Sequence, residues 1–320
     1  VNQLTILSEI ERDKILVEWN NTACEYPSDK CIHQLFEQQV AKTPDAIAVI
    51  FEQQQLTYQE LDNRANQLAN YLQTLGVKPD VLVGICIDRC LEMIVGILGI
   101  LKAGGAYIPL DPAYPQDRLT HMLDDSGVSI LLTVEKLLSQ IPENNAQQIC
   151  LDKDWDNLIS QQSQQPNHSD VKSNNLAYII YTSGSTGKSK GVMIEHNSLV
   201  NFTQTATREY AINSKDRILQ FASISFDVAA EEMYPCLTSG ATLILRTVDF
   251  LTNGSRMLQK CDEWGLSVLD LPTAYWHQIA SDLANCESEI PSSLRLVIIG
   301  GEAVIPEKVR GWQKSFKNNQ

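Results

Sequence analysis

Three features of this 320-residue chain predict an α/β fold of layered, largely parallel sheets with flanking helices. Short apolar runs recur along it, helix-periodic stretches separate them, and Gly, Pro, Asn or Asp mark the junctions. The length is enough for one large α/β domain or about two smaller ones, either with a sizeable core.

The elements follow in order. Residues 1–30 form a leader: an amphipathic stretch around Ile6, Leu7, Ile10, Ile15 and Leu16, then a polar run ending at Pro27-Ser28-Asp29. Ala46–Phe51 is a strand-like apolar run. Thr57-x-x-Glu60 is a capping box, in which each side chain accepts the other's backbone amide. It opens a helix carrying Leu61, Ala65, Leu68, Leu72 and Leu75, with Gly76 placed to stop it. Val81–Ile87 reads as a buried strand, Leu91–Ala103 as a helix ending at Gly104-Gly105, and Ser129–Thr133 as another strand. Gln140–Ser173 is rich in Gln and Asn, with a short strand around Ile149; this composition suits a mobile surface excursion. Further strands are expected at Ala177–Tyr181, Ile218–Phe221, Thr242–Leu245, Leu266–Leu269 and Leu296–Ile299, with helices between them.

Composition narrows the function classes. A formal charge of −14 without a long basic run argues against binding nucleic acid or an anionic membrane. No stretch of roughly 18 uncharged apolar residues suggests a transmembrane helix, and the first residues lack the basic-then-apolar order of a secretory signal. The eight cysteines include no Cys-x-x-Cys pair and read as reduced packing residues of a cytoplasmic protein. His121, His196 and His277 show neither metal spacing nor a nucleophile–base pattern. The Val start and the polar Lys317–Gln320 end read as those of a segment from a longer chain.

The densest chemical signal follows the strand Tyr178–Tyr181. Thr182, Ser183, Gly184, Ser185, Thr186 and Gly187 combine hydroxyl donors with glycines, and Lys188 and Lys190 add positive charge. Glycines let amides approach an anion closely, so the loop has what a polyphosphate requires. A flexible Ser/Gly linker is the plain alternative. A P-loop would need Gly where Thr182 stands.

The loop resembles that of the adenylate-forming superfamily, and its flanks narrow the resemblance to amino-acid adenylation domains of nonribosomal peptide synthetases. Leu56-Thr-Tyr-Gln-Glu-Leu61 looks like the first core motif of that family. Leu101-Lys-Ala-Gly-Gly-Ala-Tyr-Ile-Pro-Leu-Asp-Pro112, with Tyr114-Pro115 and Arg118-Leu119, looks like the second; Leu176–Val192 resembles the third, and Phe226-Asp227 begins the fourth. Leu7-Ser8, Glu11-Arg12, Trp19-Asn20 and Thr22 resemble the linker from an upstream condensation domain. Ser189 stands where the family usually has Pro, and Ala229 where it usually has Ser.

The resemblance implies the large N-terminal subdomain of an adenylate-forming enzyme, incomplete at its C-terminus. Residues 1–30 would be the linker and 31–320 the N-terminal part of the adenylation domain. The later motifs, which in the family hold Mg²⁺ and nucleotide and supply an essential Lys, do not occur before Gln320. The segment alone is therefore expected to be inactive. The implied reaction joins an amino acid to ATP as aminoacyl-AMP, for transfer to the phosphopantetheine thiol of a carrier-protein partner. Thr182 and Lys190 carry over as catalytic groups, with Thr182–Gly187 and Lys190 holding phosphate. Gly301, Glu302 and Ala303 carry over as the adenine-contacting turn, unless they form an ordinary strand-to-helix turn.

The amino-acid pocket carries over as Phe226, Asp227, Val228, Glu231, Asp270, Ile298 and Gly300. Asp227 would bind the substrate α-ammonium, a charge-assisted contact; as plain structure it would N-cap a helix. Glu231 lies four residues later, on the same helix face. Asp270 closes an apolar run and is expected at a strand end. Two buried carboxylates are costly without a cation, so the substrate side chain is expected to be cationic: arginine first, for its planar fork, then lysine or ornithine. Alternatively, Glu231 is solvated and Asp270 caps the helix that follows, or one carboxylate stays neutral and admits a tyrosine-like side chain. Another acid–AMP ligase, such as an acyl-CoA synthetase, or a degenerate nucleotide- or amino-acid-binding module are the rival readings.

Overall fold

The computed structural model describes residues 7–166, 169–184, 188–251, 254–285 and 289–318. After α1 (Glu9–Asp13) and a π-helical turn come α2 (Ile32–Lys42), β1 (Ile47–Phe51), β2 (Gln54–Thr57) and α3 (Tyr58–Thr74). The next group is β3 (Leu82–Ile85), α4 (Leu91–Ala103), β4 (Ala106–Pro109), α5 (Gln116–Ser126), β5 (Ile130–Thr133), β6 (Gln147–Cys150), β7 (Leu176–Thr182) and β8 (Lys190–Glu195). The chain then adds α6 (His196–Glu209), β9 (Arg217–Gln220), α7 (Val228–Thr238), β10 (Thr242–Leu245), α8 (Gly254–Glu263), β11 (Val268–Pro272), α9 (Thr273–Asn285), β12 (Leu296–Gly300) and α10 (Pro306–Asn318).

Two six-stranded sheets result, ordered β12-β11-β9-β10-β1-β2 and β6-β5-β3-β4-β7-β8. Each is parallel except at one edge, where the hairpin partners β2 and β8 run antiparallel. The main core joins residues of both sheets to α2, α3, α4 and α7. Nearly every residue of α4 is buried, as its all-round apolar sequence requires. At Gly99 an added Cβ would stand 2.6 Å from Leu68 Cδ2, so the missing side chain lets α3 and α4 close together. The exception in α4 is Lys102, buried but paired with Glu37 and with Asp62 at 3.0 Å, as a charge in that position must be.

The expected capping box is present: Thr57 Oγ1 accepts the Glu60 amide, and Glu60 accepts the Thr57 amide. α4 has the expected limits, and Gly104 ends it in the left-handed region at φ 95°. Strands β2, β4 and β8 were not anticipated. The first two span only four residues each, and β8 is an edge strand whose short apolar run, Val192–Ile194, stays largely exposed. β11 lies further along than expected, at 268–272 rather than 266–269. Among the described residues the apolar side of the leader stands exposed: Ile10 is 82% and Trp19 62% exposed.

The Gln/Asn-rich segment lies mostly at the surface, as its composition suggests, but it is anchored there. Leu151 and Ile159 are buried, and amides on α3 hold the backbone that follows. Gln67 donates to Ser160 O at 2.7 Å, Asn66 to Gln164 O at 2.8 Å, and Asn70 to Ser163 O at 2.9 Å. Carboxamides on the helix satisfy carbonyls that would otherwise need water. His196 is buried too; its Nδ1 accepts the Ile32 amide at 3.3 Å, and burial pulls its imidazole down to about 4. Seven cysteines are free among the described residues; Cys286 lies outside them.

Candidate active site

β7 delivers the Ser/Thr/Gly loop and β8 carries it away, with Thr182 and Lys190 paired across the hairpin. A P-loop would run from strand to helix; this loop runs from strand to strand. Thr182, Ser183, Lys188 and Lys190 are exposed and Gly184 is half-buried, while Ser185, Thr186 and Gly187 lie outside the described residues. Two contacts tie the hairpin to α5. Tyr181 donates its hydroxyl to Asp125 at 2.7 Å, and His121 Nε2 lies 3.0 Å from Ser189 O. A cavity of about 600 Å³ between them is lined by Arg118, His121, Ser183, Lys188 and Ser189, with Asp117 and Asp124 beside them.

A second cavity, of about 570 Å³, gathers residues from distant stretches: Phe226, Val228 and Glu231 at the start of α7, Asp270 in β11, and Ile298, Gly300 and Gly301 at the end of β12. Parallel register explains the convergence. Asp270 stands beside Ile298 and Pro272 beside Gly300, and residues two apart on a strand share a face. Asp270 thus projects from the middle of β11, not from a strand end. Gly301 sits at φ 89°, a conformation that favours glycine; Glu302 and Ala303 follow it exposed. Asp227 does not line this cavity. It is exposed, caps α7, and accepts the Val228 amide at 3.0 Å.

Tyr210 completes the acidic wall and was not foreseen. Its hydroxyl donates to Glu231 Oε1 at 2.5 Å, and burial, followed by the bond to Glu231, pushes the phenol up. Asp270 is 8% exposed; burial, with Glu231 second, pushes its carboxyl up to about 7. Arg246 also lines the cavity, but its Nε donates to Phe221 O at 2.8 Å. Burial pulls its guanidinium down, and Glu232, Tyr275 and Asp111 act in the opposite sense.

Glu232 was also missed. It is fully buried behind the cavity, where burial pushes its carboxyl up to about 8 against the pull of three donors: the amides of Phe221 and Ala222 and the side chain of Gln220. Only its neighbour Glu231 falls on the face shared with Asp227, so helical spacing pointed to one and passed over the other.

The family model described as AMP-binding enzyme matches residues 36–320. The chain belongs to the AMP-binding enzyme family. This AMP-binding chain is 40% identical over 319 residues to gramicidin S synthase 2 of Brevibacillus brevis, a match covering 99% of the chain and 7% of that protein. It is 40% identical over 315 residues to bacitracin synthase 3 of Bacillus licheniformis, covering 98% of the chain and 5% of that protein. The chain thus spans a small part of the length of these curated relatives. Among solved structures, the nonribosomal peptide synthetase FmoA3 in its α-methyl-L-serine-AMP-bound form matches with a TM-score of 0.87 at 25% identity, over 96% of this chain and 34% of that one. The Klebsiella oxytoca NpsA N-terminal subdomain shares the fold, with a TM-score of 0.77 at 24% identity over 90% of this chain and 72% of that one. The expected architecture, the large N-terminal subdomain of an adenylation domain, is the one observed.

Proposed function

We propose that this chain is the N-terminal part of an amino-acid adenylation domain, with residues 1–30 a linker from a condensation domain, and that it acts in the cytoplasm. A carboxylate oxygen of the amino acid attacks the α-phosphorus of ATP. The bond to the β-phosphate oxygen breaks, and pyrophosphate leaves. Aminoacyl-AMP then loses AMP to the phosphopantetheine thiolate of a carrier protein, which becomes the thioester. The chain's contribution is positioning and electrostatic stabilisation. Thr182–Gly187 and Lys190 hold the pyrophosphate side, and Gly301–Ala303 the adenine. Asp227 binds the α-ammonium, which requires its carboxylate to turn from the α7 terminus toward the substrate. Among the described residues no group of three His, Cys, Asp or Glu side chains could hold a metal. Mg²⁺ is therefore assigned to no residue here.

The substrate side chain is cationic, with arginine preferred. One observation carries this: Glu231 and Asp270 face one apolar-walled cavity, and the charge of Glu231 disfavours that of Asp270. A guanidinium between them would relieve that repulsion and offer donors to both. A second reading has support in the same pair. Asp270, held protonated, would donate a hydrogen bond to a neutral polar side chain such as that of tyrosine.

The test is amino-acid-dependent ATP–pyrophosphate exchange, on this chain and on one extended through the later motifs, with arginine, lysine, ornithine, tyrosine and leucine. Exchange only in the extended chain, strongest with a cationic amino acid, is expected. Exchange with tyrosine alone favours the second reading. No exchange in a folded extended chain overturns the enzyme reading in favour of a binding module.

A further inference from the structure

Resting on the reading of the 570 Å³ cavity as the amino-acid pocket, we infer that Arg89 and Glu232 are positioning residues, gripping one backbone turn from two sides to set the pocket wall. The turn is Gln220–Ser223, where β9 ends. Its residues Phe221, Ala222 and Ser223 line the cavity, and the Phe226 amide bonds back to Ser223 O at 2.9 Å. Phe226 thus moves with the turn.

Glu232, from α7, takes the donors. It accepts the Phe221 and Ala222 amides, both at 3.0 Å, and Gln220 Nε2 at 2.9 Å. Arg89, from the loop between β3 and α4 in the other sheet's half of the molecule, takes the acceptors. Its Nη2 donates to Phe221 O and Ala222 O, each at 2.6 Å, and its Nε to Gln220 Oε1 at 2.9 Å. Gln220 is held at both ends of its amide, and Ser223 is pinned by its hydroxyl bond to Asp111 at 2.7 Å. Every polar atom of the two central peptides named here meets a group of opposite hydrogen-bonding sense. Such a doubly held turn has little freedom to follow a ligand, so the cavity is shaped before the amino acid arrives. The chemistry is particular to these side chains. With Glu232 ionised, above about pH 8, glutamine at 232 would turn an amide donor toward donors, and lysine at 89 cannot span two carbonyls and an amide oxygen with a planar fork.

The experiment measures exchange kinetics of Glu232→Gln, Arg89→Lys and the double variant in the extended chain. Each single change is expected to raise the amino-acid KM about tenfold, with kcat and the ATP KM within about twofold. The double variant is expected to fall short of the product of the two, because both act on one turn. Should Glu232→Gln fail to fold, Arg89→Lys carries the same KM comparison. Equal loss in the ATP and amino-acid KM values, or a lower melting temperature with both KM values unmoved, overturns the clamp and leaves the adenylation reading standing. Absence of amino-acid-dependent exchange in the unsubstituted chain overturns that reading and the clamp with it.

Discussion

Arginine binding should tighten as pH rises from 6 to 8, and the size of the change follows from Asp270. Its carboxyl titrates at about 7 in the free protein. A bound guanidinium favours the carboxylate, so binding must first remove the proton. At pH 6 about one molecule in eleven has the carboxylate ready; at pH 8 about ten in eleven do. The affinity therefore rises about tenfold, or ~1.4 kcal/mol. Close to one proton should be released per arginine at pH 6 and about a tenth of one at pH 8. The groups facing Asp270 are Glu231, held by Tyr210, the Arg246 guanidinium in the same cavity wall, engaged with Phe221 O, and the buried Glu232, whose own titration at about 8 overlaps the range. Calorimetry in two buffers of different ionisation enthalpy counts the protons. Citrulline, the uncharged isostere of arginine, serves as the reference for the α-amino and α-carboxyl groups, and Asp270→Asn should flatten the arginine slope to the citrulline one. A pH-independent arginine affinity, or a slope that survives Asp270→Asn, would refute the paired-carboxylate argument.

Three further outcomes are expected. The free chain should lose stability as pH rises from about 6.5 to 8, where Asp270 and Glu232 keep protons in the folded state that the unfolded chain has released; at lower pH the buried neutral His196, which the unfolded chain protonates, acts in the opposite sense, and denaturant midpoints across both ranges measure it. Gly99→Ala should cost about 1–3 kcal/mol in urea unfolding, because the new methyl meets the fully buried Leu68 at 2.6 Å and α4 is packed on nearly every side. Gln67→Ala should cost about 1–2 kcal/mol, since its donor meets Ser160 O in a half-buried setting; hydrogen exchange should quicken across 158–165 while α4 stays protected.

Much of the fold was legible because local and tertiary preferences agree. α3 carries its own capping box, its apolar stripe and a terminating glycine, so nothing distant was needed to place it. α4 is apolar on every side and ends at a glycine in the left-handed region. β8 was hidden for the opposite reason. It is an edge strand whose pattern answers to its hairpin partner rather than to a core, and its residues stay largely exposed. The Gln/Asn-rich segment is at the surface as its composition suggests, but its anchoring was hidden, because composition records what side chains are, not what they meet. The side chains that decide its course, Asn66, Gln67 and Asn70, sit on a helix some ninety residues earlier.

The candidate site divides along the same line. Helical spacing is enough to put Glu231 near Asp227, but only the register of β11 against β12 brings Asp270 and Ile298 to one wall, and register is a property of two strands together. Tyr210 reaches Glu231 from the far end of another helix, and Arg89 reaches Phe221 from the loop that follows β3. Neither side chain carries a local signal, because a lone tyrosine or arginine looks the same wherever it points. Glu232 held the nearest thing to one: the residues at helical spacing around it, Val228, Ala229, Pro235 and Cys236, are apolar or small, on a helix whose mean character is apolar, where an acid is costly unless the backbone answers it. A carboxylate on the buried face of a helix implies amides pointing at it, and here those amides belong to the turn that walls the pocket. The residues that choose the substrate and those that hold the choice in place are therefore neighbours in sequence, Glu231 facing the cavity and Glu232 the scaffold behind it.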